Sequence, residues 1–176
     1  DISIIACMKL RSVWKENNPM FGQYQSPLGV ISFEVTDGKL VGMSIDDWDV
    51  KTSDHPSVKK IEHALDAYFK GQSQVFDLDV SFLKGTPFQI EVWREMLKIP
   101  FGQTKSYQDL AISIGRPLAI RAVGQACKRN PIGIVVPCHR VIGKDGSMTG
   151  YSGKDYVHIK KRLLDFEREH KPWSNN

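Results

Sequence analysis

Asn130-Pro131-Ile132-Gly133-Ile134-Val135-Val136-Pro137-Cys138-His139-Arg140-Val141-Ile142-Gly143 is the stretch whose reading organises the rest of the chain. Ile132 to Val136 is wholly apolar and has to be buried, so it delivers a cysteine and a histidine side by side to the rim of a packed core. A free thiol is mostly protonated near neutrality, so a nucleophilic Cys138 needs a base, and His139 is the nearest one. On an extended backbone the two side chains point to opposite sides; a water then has to bridge imidazole and sulfur while a carboxylate orients the other ring nitrogen. The residues alone leave a second reading open, in which Cys138 is an inert core thiol and His139 a hydrogen-bonded core histidine.

Upstream, Thr86 is a good N-cap with Pro87 at the first helical position, and Phe88, Val92, Trp93, Met96 and Leu97 form an apolar stripe that stops at Pro100. Ser106 caps a second helix, Tyr107 to Ile114, which Gly115 ends, and Pro117 starts a third, Leu118 to Lys128. The pair has the outline of a helix-turn-helix. Small residues beside the arginine in Arg121-Ala122-Val123-Gly124-Gln125-Ala126 make the third helix slim enough for a minor groove about 6 Å wide. By residue type alone, Arg121 reads sooner as a solvated surface arginine and Tyr107 as a half-buried aromatic of an amphipathic helix. Downstream, Gly143-Lys144-Asp145-Gly146 predicts a turn and Tyr156 to Glu169 a closing helix.

The first half has a different grammar. Val30 to Val35 and Leu40 to Met43 flank Asp37-Gly38 as a hairpin, Ser57 to Gly71 carries Ile61, Leu65, Tyr68 and Phe69 at helical spacing, and Phe76 to Leu83 alternates as a strand. Lys84-Gly85-Thr86-Pro87 is the natural boundary. The expectation is an α+β chain of two domains: residues 1–84 with an antiparallel sheet and a helix, and residues 85–176, mostly helical with the helix-turn-helix. Residues 1–19 carry no readable pattern.

Composition narrows the class. The 176 residues are 41% hydrophobic with a net charge of +4, enough for a core and suited to an anionic partner. Three cysteines, Cys7, Cys127 and Cys138, argue against a disulfide framework and for a reducing compartment, cytoplasm or nucleus. Neither they nor the five histidines show zinc-motif spacing, so no metal is expected. No apolar run approaches the roughly 18 residues of a membrane span, and Asp1 to Met8 lacks the basic start of a signal peptide.

The string from Asn130 to Gly143 closely resembles the active-site signature of the O6-alkylguanine-DNA alkyltransferases. The resemblance continues through Gly85-Thr86-Pro87-Phe88-Gln89, Ser106-Tyr107, Arg121-Ala122-Val123-Gly124, Thr149-Gly150-Tyr151-Ser152-Gly153 and Leu163-Leu164. It covers residues 85 to 167 well and the N-terminal hairpin loosely, and it implies that the N-terminal domain is ribonuclease-H-like. It also implies a single-use repair protein, monomeric and without cofactor, that acts on double-stranded DNA containing O6-alkylguanine. In that family Cys138 accepts the alkyl group, His139 acts through a water as its base, Glu167 orients the histidine, and Asn130 pins the backbone before an active-site strand. Tyr107 matches the residue that turns the target phosphate, and Arg121 the one that fills the gap left by the flipped base, with Ala122, Gly124 and Gln125 on the same DNA-facing helix. Val141 and Ser152 match positions that read guanine, and Tyr151 one that shapes the alkyl pocket; Gly133 and Cys127 suggest room there for larger groups.

The chain departs from the family pattern at Lys154, where a second glycine is usual, and at Arg162, where tryptophan is frequent. Alignment on Leu163-Leu164 selects Glu167 as the histidine's partner, with Asp165 and Glu169 as rivals. Other classes predict other behaviour: a non-catalytic lesion binder would lack the thiol, a methylation-dependent regulator would carry an activator domain, and a cysteine hydrolase would turn over.

Overall fold

The computed structural model of the protein describes residues 18–148 and 157–170. Three strands open it, β1 (Met20–Ser26), β2 (Gly29–Thr36) and β3 (Lys39–Ile45), each antiparallel to the next. Asp37 and Gly38 both have positive φ, 50° and 73°, the backbone of a two-residue turn whose twist matches that of the flanking strands, which explains the Asp-Gly pair there. Ile31, Phe33 and Val35 alternate along β2 onto the core face. Helix α1 (Pro56–Phe69) closes that face with Val58, Ile61, Leu65 and Tyr68.

Among the described residues no fourth strand lies beside β3. The run from Phe76 to Leu83, expected as a strand, touches β3 through one parallel bridge at Val80, with Leu40 donating to the Asp79 carbonyl and Ser81 to that of Leu40. Exposure does alternate from Phe76 to Val80, as the pattern demands. What fails is the ladder: Phe76 leaves the sheet to stack on Tyr68, centroids 5.0 Å apart. Further along β3, Met43 pairs with Pro131 and Gly133 from the other half of the chain. On the opposite edge of the sheet, Ser53 donates to the Phe21 carbonyl.

Helix α2 (Pro87–Met96) starts in a capping box, Thr86 accepting from the Gln89 amide while the Gln89 side chain accepts from Thr86, a motif that contributes about 1 kcal/mol. A two-residue strand, β4 (Lys105–Ser106), leads into helix α3 (Tyr107–Ser113), capped the same way by Ser106 and Asp109. Gly115, φ 71°, closes α3 by donating to Ile112 while Arg116 donates to Ala111, satisfying carbonyls that a helix end leaves open. Helix α4 (Ile120–Lys128) follows two residues later than expected. Pro117 and Leu118 are spent in the turn, Ala119 donating to Arg116, and this leaves Leu118 98% exposed. α4 packs on α2 and α3, and Trp93 Nε1 donates to the Ala126 carbonyl at 2.8 Å. β5 (Val141–Ile142) pairs in parallel with β4, and helix α5 (Val157–Glu169) packs on the segment just before β5. One buried cluster runs from Ile31 to Leu163, so both halves share a core.

Candidate active site

The segment from Asn130 to Arg140 is not the extended active-site strand that the family resemblance implied. Asn130 Nδ2 donates to the Val136 carbonyl at 2.8 Å and its Oδ1 accepts from the Ile132 amide at 3.0 Å, so one buried side chain ties both ends of a loop. Within the loop Val135 donates to Gly133 across Ile134, whose φ of 68° is a left-handed conformation costly for a β-branched residue. Cys138 donates to Val136 across Pro137 at φ −84°, ψ 65°, a tight three-residue turn of opposite hand. Cys138–Arg140 then forms a single 3-10 turn rather than extended backbone. The expectation that Cys138 and His139 point to opposite faces of a strand therefore lapses.

Cys138 is outside any disulfide and is 4% exposed. His139 is fully buried, and its Nε2 lies 2.7 Å from Glu167 Oε1. Of the three acids weighed on the last helix, Glu167 is the one brought to the histidine; Asp165 pairs with Arg168 and Glu169 faces solvent. Glu167 Oε1 also accepts from Tyr68 Oη at 2.8 Å and Arg140 Nη2 at 2.9 Å, while Oε2 accepts from Arg140 Nε at 2.9 Å and the Gly102 amide at 3.0 Å. Arg140 Nη1 reaches the Ile99 carbonyl at 2.6 Å.

These contacts set the protonation states. Burial alone would raise the Glu167 pKa, but the hydrogen bonds and charges of His139 and Arg140 outweigh it and hold the carboxyl well below the usual carboxylate range. Burial pushes His139 down, opposed by Glu167. The pair is a carboxylate beside a neutral imidazole. A carboxylate can only accept, so Nε2 carries the ring proton and Nδ1 keeps the lone pair, the form that can take a proton.

A second cation lies close by. Lys160 is 1% exposed; its ammonium donates to the Val141 carbonyl, lies 3.4 Å from Tyr107 Oη and sits 5.6 Å from the centre of the Tyr107 ring. Burial lowers its pKa, while the sulfurs of Cys138 and Cys127 oppose that shift, an attraction that favours a thiolate as much as it favours the ammonium. Burial first, and Cys138 second, push the Cys127 thiol up, so Cys127 stays protonated against Met96 Sδ at 3.5 Å. It lies close enough to Cys138 for the two sulfurs to interact electrostatically. Gly133 bonds to β3. Tyr151 and Ser152, the other pocket residues expected, lie outside the described residues.

On α4, Arg121, Ala122 and Gln125 are exposed on one side, while Gly124 is half-buried and leaves room beside Tyr107, whose ring a Cβ there would meet at 3.9 Å. Arg140, Lys160, Tyr68 and the Gly102 amide were not singled out from the sequence. Lys160 left a signal: with Leu163, Leu164 and Glu167 it recurs at helical spacing, two charged residues on an apolar stripe. Tyr68 left none, since nothing local pairs it with a residue 99 positions away. Among the described residues no group of three or more His, Cys, Asp or Glu is arranged to hold a metal, and no helix is long and apolar enough to cross a membrane.

Residues 87–169 match the family model described as the 6-O-methylguanine DNA methyltransferase DNA binding domain. The constitutive methylated-DNA–protein-cysteine methyltransferase of Bacillus subtilis is 41% identical over 154 residues, 82% of this chain and 92% of that protein. That of Methanosarcina barkeri is 53% identical over 104 residues, 58% of this chain and 63% of the relative. The fold is similar to the crystal structure of the O6-methylguanine methyltransferase of Mycobacterium tuberculosis, with a TM-score of 0.79, 36% identity and coverage of 89% of this chain and 96% of that one. It is also similar to the same organism's OGT in complex with DNA, TM-score 0.77 at 37% identity, covering 88% and 96% of the two chains.

Proposed function

The chain belongs to the methylated-DNA–protein-cysteine methyltransferase family, and from that premise we propose how its residues repair alkylated DNA. It is a single-use enzyme that takes the alkyl group from O6-alkylguanine and keeps it on Cys138. His139 Nδ1 takes the thiol proton through a water, Glu167 holds the imidazolium that forms, and Lys160 favours the thiolate. The thiolate attacks the alkyl carbon from behind the C–O bond. As the S–C bond forms, the C–O pair passes to guanine, which takes up one proton. The thioether does not hydrolyse, so each molecule works once.

DNA has to open for this. An O6 group inside a stacked duplex is out of reach of a buried thiol, and extruding the base costs a few kcal/mol. Arg121, on the exposed side of α4, fills the gap; Ala122, Gly124 and Gln125 keep the helix slim in the minor groove, and Tyr107 turns the target phosphate. Val141, Tyr151 and Ser152 receive the guanine, with Gly133 and Cys127 beside the alkyl group, and Asn130 holds the loop that presents Cys138. Residues 85–176 carry DNA and the thiol, and residues 1–84 buttress them; the working form is a monomer in the cytoplasm, or in the nucleus of a eukaryote.

The observation that carries this reading is the 2.7 Å contact between His139 and an ionised Glu167, with Cys138 adjacent in the chain to His139. Incubation with duplex containing O6-methylguanine is expected to add one methyl mass to the peptide holding Cys138, one per molecule. Repaired DNA with an unmodified peptide overturns the assignment, and continued turnover would make the protein a hydrolase.

A further inference from the structure

We propose that Tyr68, on helix α1 of the N-terminal half, is a positioning residue of the alkyl-transfer relay, its hydroxyl orienting the Glu167 oxygen that holds His139. The inference rests on the transfer mechanism above and extends it to helix α1 of the N-terminal half. Tyr68 is 1% exposed, and its Oη lies 2.8 Å from Glu167 Oε1. Because Glu167 is ionised it offers no proton, so Tyr68 is the donor.

The ring is held on four sides. Phe69 meets it edge-on at 5.0 Å, Phe76 stacks at 5.0 Å, Phe166 tilts against it at 5.4 Å and Phe101 stands edge-on at 5.8 Å. That packing leaves the hydroxyl little arc to search. A buried tyrosine would be satisfied by any carbonyl; this one shares the carboxylate oxygen that already receives His139 Nε2 and Arg140 Nη2. Donors crowding one oxygen draw on the same negative charge, so each weakens the others' hold. The hydroxyl therefore fixes where the carboxylate points and limits how strongly it favours a proton on the imidazole. Among the described residues, the charged groups acting on His139 are Glu167 and Lys160 of α5 and Arg140 of the 3-10 turn, with Tyr68 of α1 bonded to Glu167 and Cys138 acting on Lys160.

The sign follows. Without the hydroxyl, Oε1 carries more charge, imidazolium is favoured, and His139 stays protonated to higher pH, where it cannot act as a base. In Tyr68→Phe, the acid limb of the alkyl-transfer rate against pH is expected to move up by roughly half a unit to one unit, so that rates on the limb fall about 3- to 10-fold while the plateau stays near wild type. A limb in the wild-type position overturns the proposal. Phe76→Leu loosens the aromatic cluster without touching the hydroxyl and should leave the limb in place; an equal shift there assigns the effect to packing and overturns the proposal too. Independently of any substrate, the His139 Nε2–H proton resonance is expected to move downfield in Tyr68→Phe as its bond to Oε1 strengthens. An unmoved resonance sinks the role of Tyr68, whereas a moved resonance in a protein that never alkylates Cys138 upholds it and sinks the transfer reading alone.

Discussion

Glu167→Gln is nearly isosteric and removes one charge, which makes it the sharpest probe of the buried network. The carboxylate receives donors from Tyr68, Gly102, His139 and both Nε and Nη2 of Arg140. An amide offers one acceptor oxygen and turns a donating NH2 toward at least one of those groups. Arg140, 7% exposed, then loses its counter-charge inside the core. Removing one partner of a buried pair costs about 3–5 kcal/mol, a large share of the about 5–15 kcal/mol that holds a typical domain folded. At about 2–4 °C per kcal/mol for a chain of this length, the melting temperature should fall by roughly 6–20 °C. The chemistry should suffer separately: wherever the amide NH2 faces Nε2, the imidazole moves its proton to Nδ1 and no longer accepts one from the thiol, a loss of about 10²–10⁴ in rate. Thermal melts and single-turnover transfer to Cys138, measured on the same preparation, read both. A variant that melts with the wild type and alkylates at its rate would show that the contacts exist without consequence, and the reasoning would fail.

Two further outcomes follow from the same geometry. Arg121→Ala should slow repair of an O6-methylguanine duplex far more than reaction with the free alkylated base, because gap-filling matters only when a base has left a stack; equal losses on both substrates would argue against that role. Stability should fall with acid in two steps, since His139 and Glu167 both have folded pKa values below their ordinary 6.5 and 4.5. Each contribution is full above the ordinary value and is lost as pH drops toward the folded one, because the unfolded chain takes a proton that the native state refuses. Urea unfolding at about pH 7.5 and about pH 5.5 should give the lower free energy at the lower pH, and His139→Gln should flatten that first step; a wild type equally stable at both pH values contradicts the assignment.

Much of the fold was legible because it rests on local rules. Asp37-Gly38, the Thr86 and Ser106 caps and Gly115 each state a turn or a helix end in a few residues, and the structure places all of them as written. The misses share a cause. The stretch from Phe76 to Leu83 alternates only as far as Val80 and lacks a partner ladder, and Ile132 to Val136 is buried yet folded into tight turns by Asn130. Hydrophobicity reports burial, not backbone path. At the candidate site, Cys138 and His139 were named from the residues themselves and Glu167 by alignment on Leu163-Leu164, and the structure brings His139 and Glu167 together. Arg140 stood inside the quoted string and was passed over, because an arginine only becomes part of a buried relay once Glu167 and the Ile99 carbonyl are known to face it.

The sheet's margins have a bearing on how molecules of this protein meet one another. A strand with open amides and carbonyls is a template for another chain, and three strands alone would present two such templates. Here the outer flank of β3 is occupied near Leu40 by Asp79 and Ser81 and near Met43 by Pro131 and Gly133, while Phe21 on the far flank is engaged by Ser53. On the β3 flank these contacts interrupt the run of open backbone, so the short bridges that seat the loop before Cys138 also discourage aggregation along that flank.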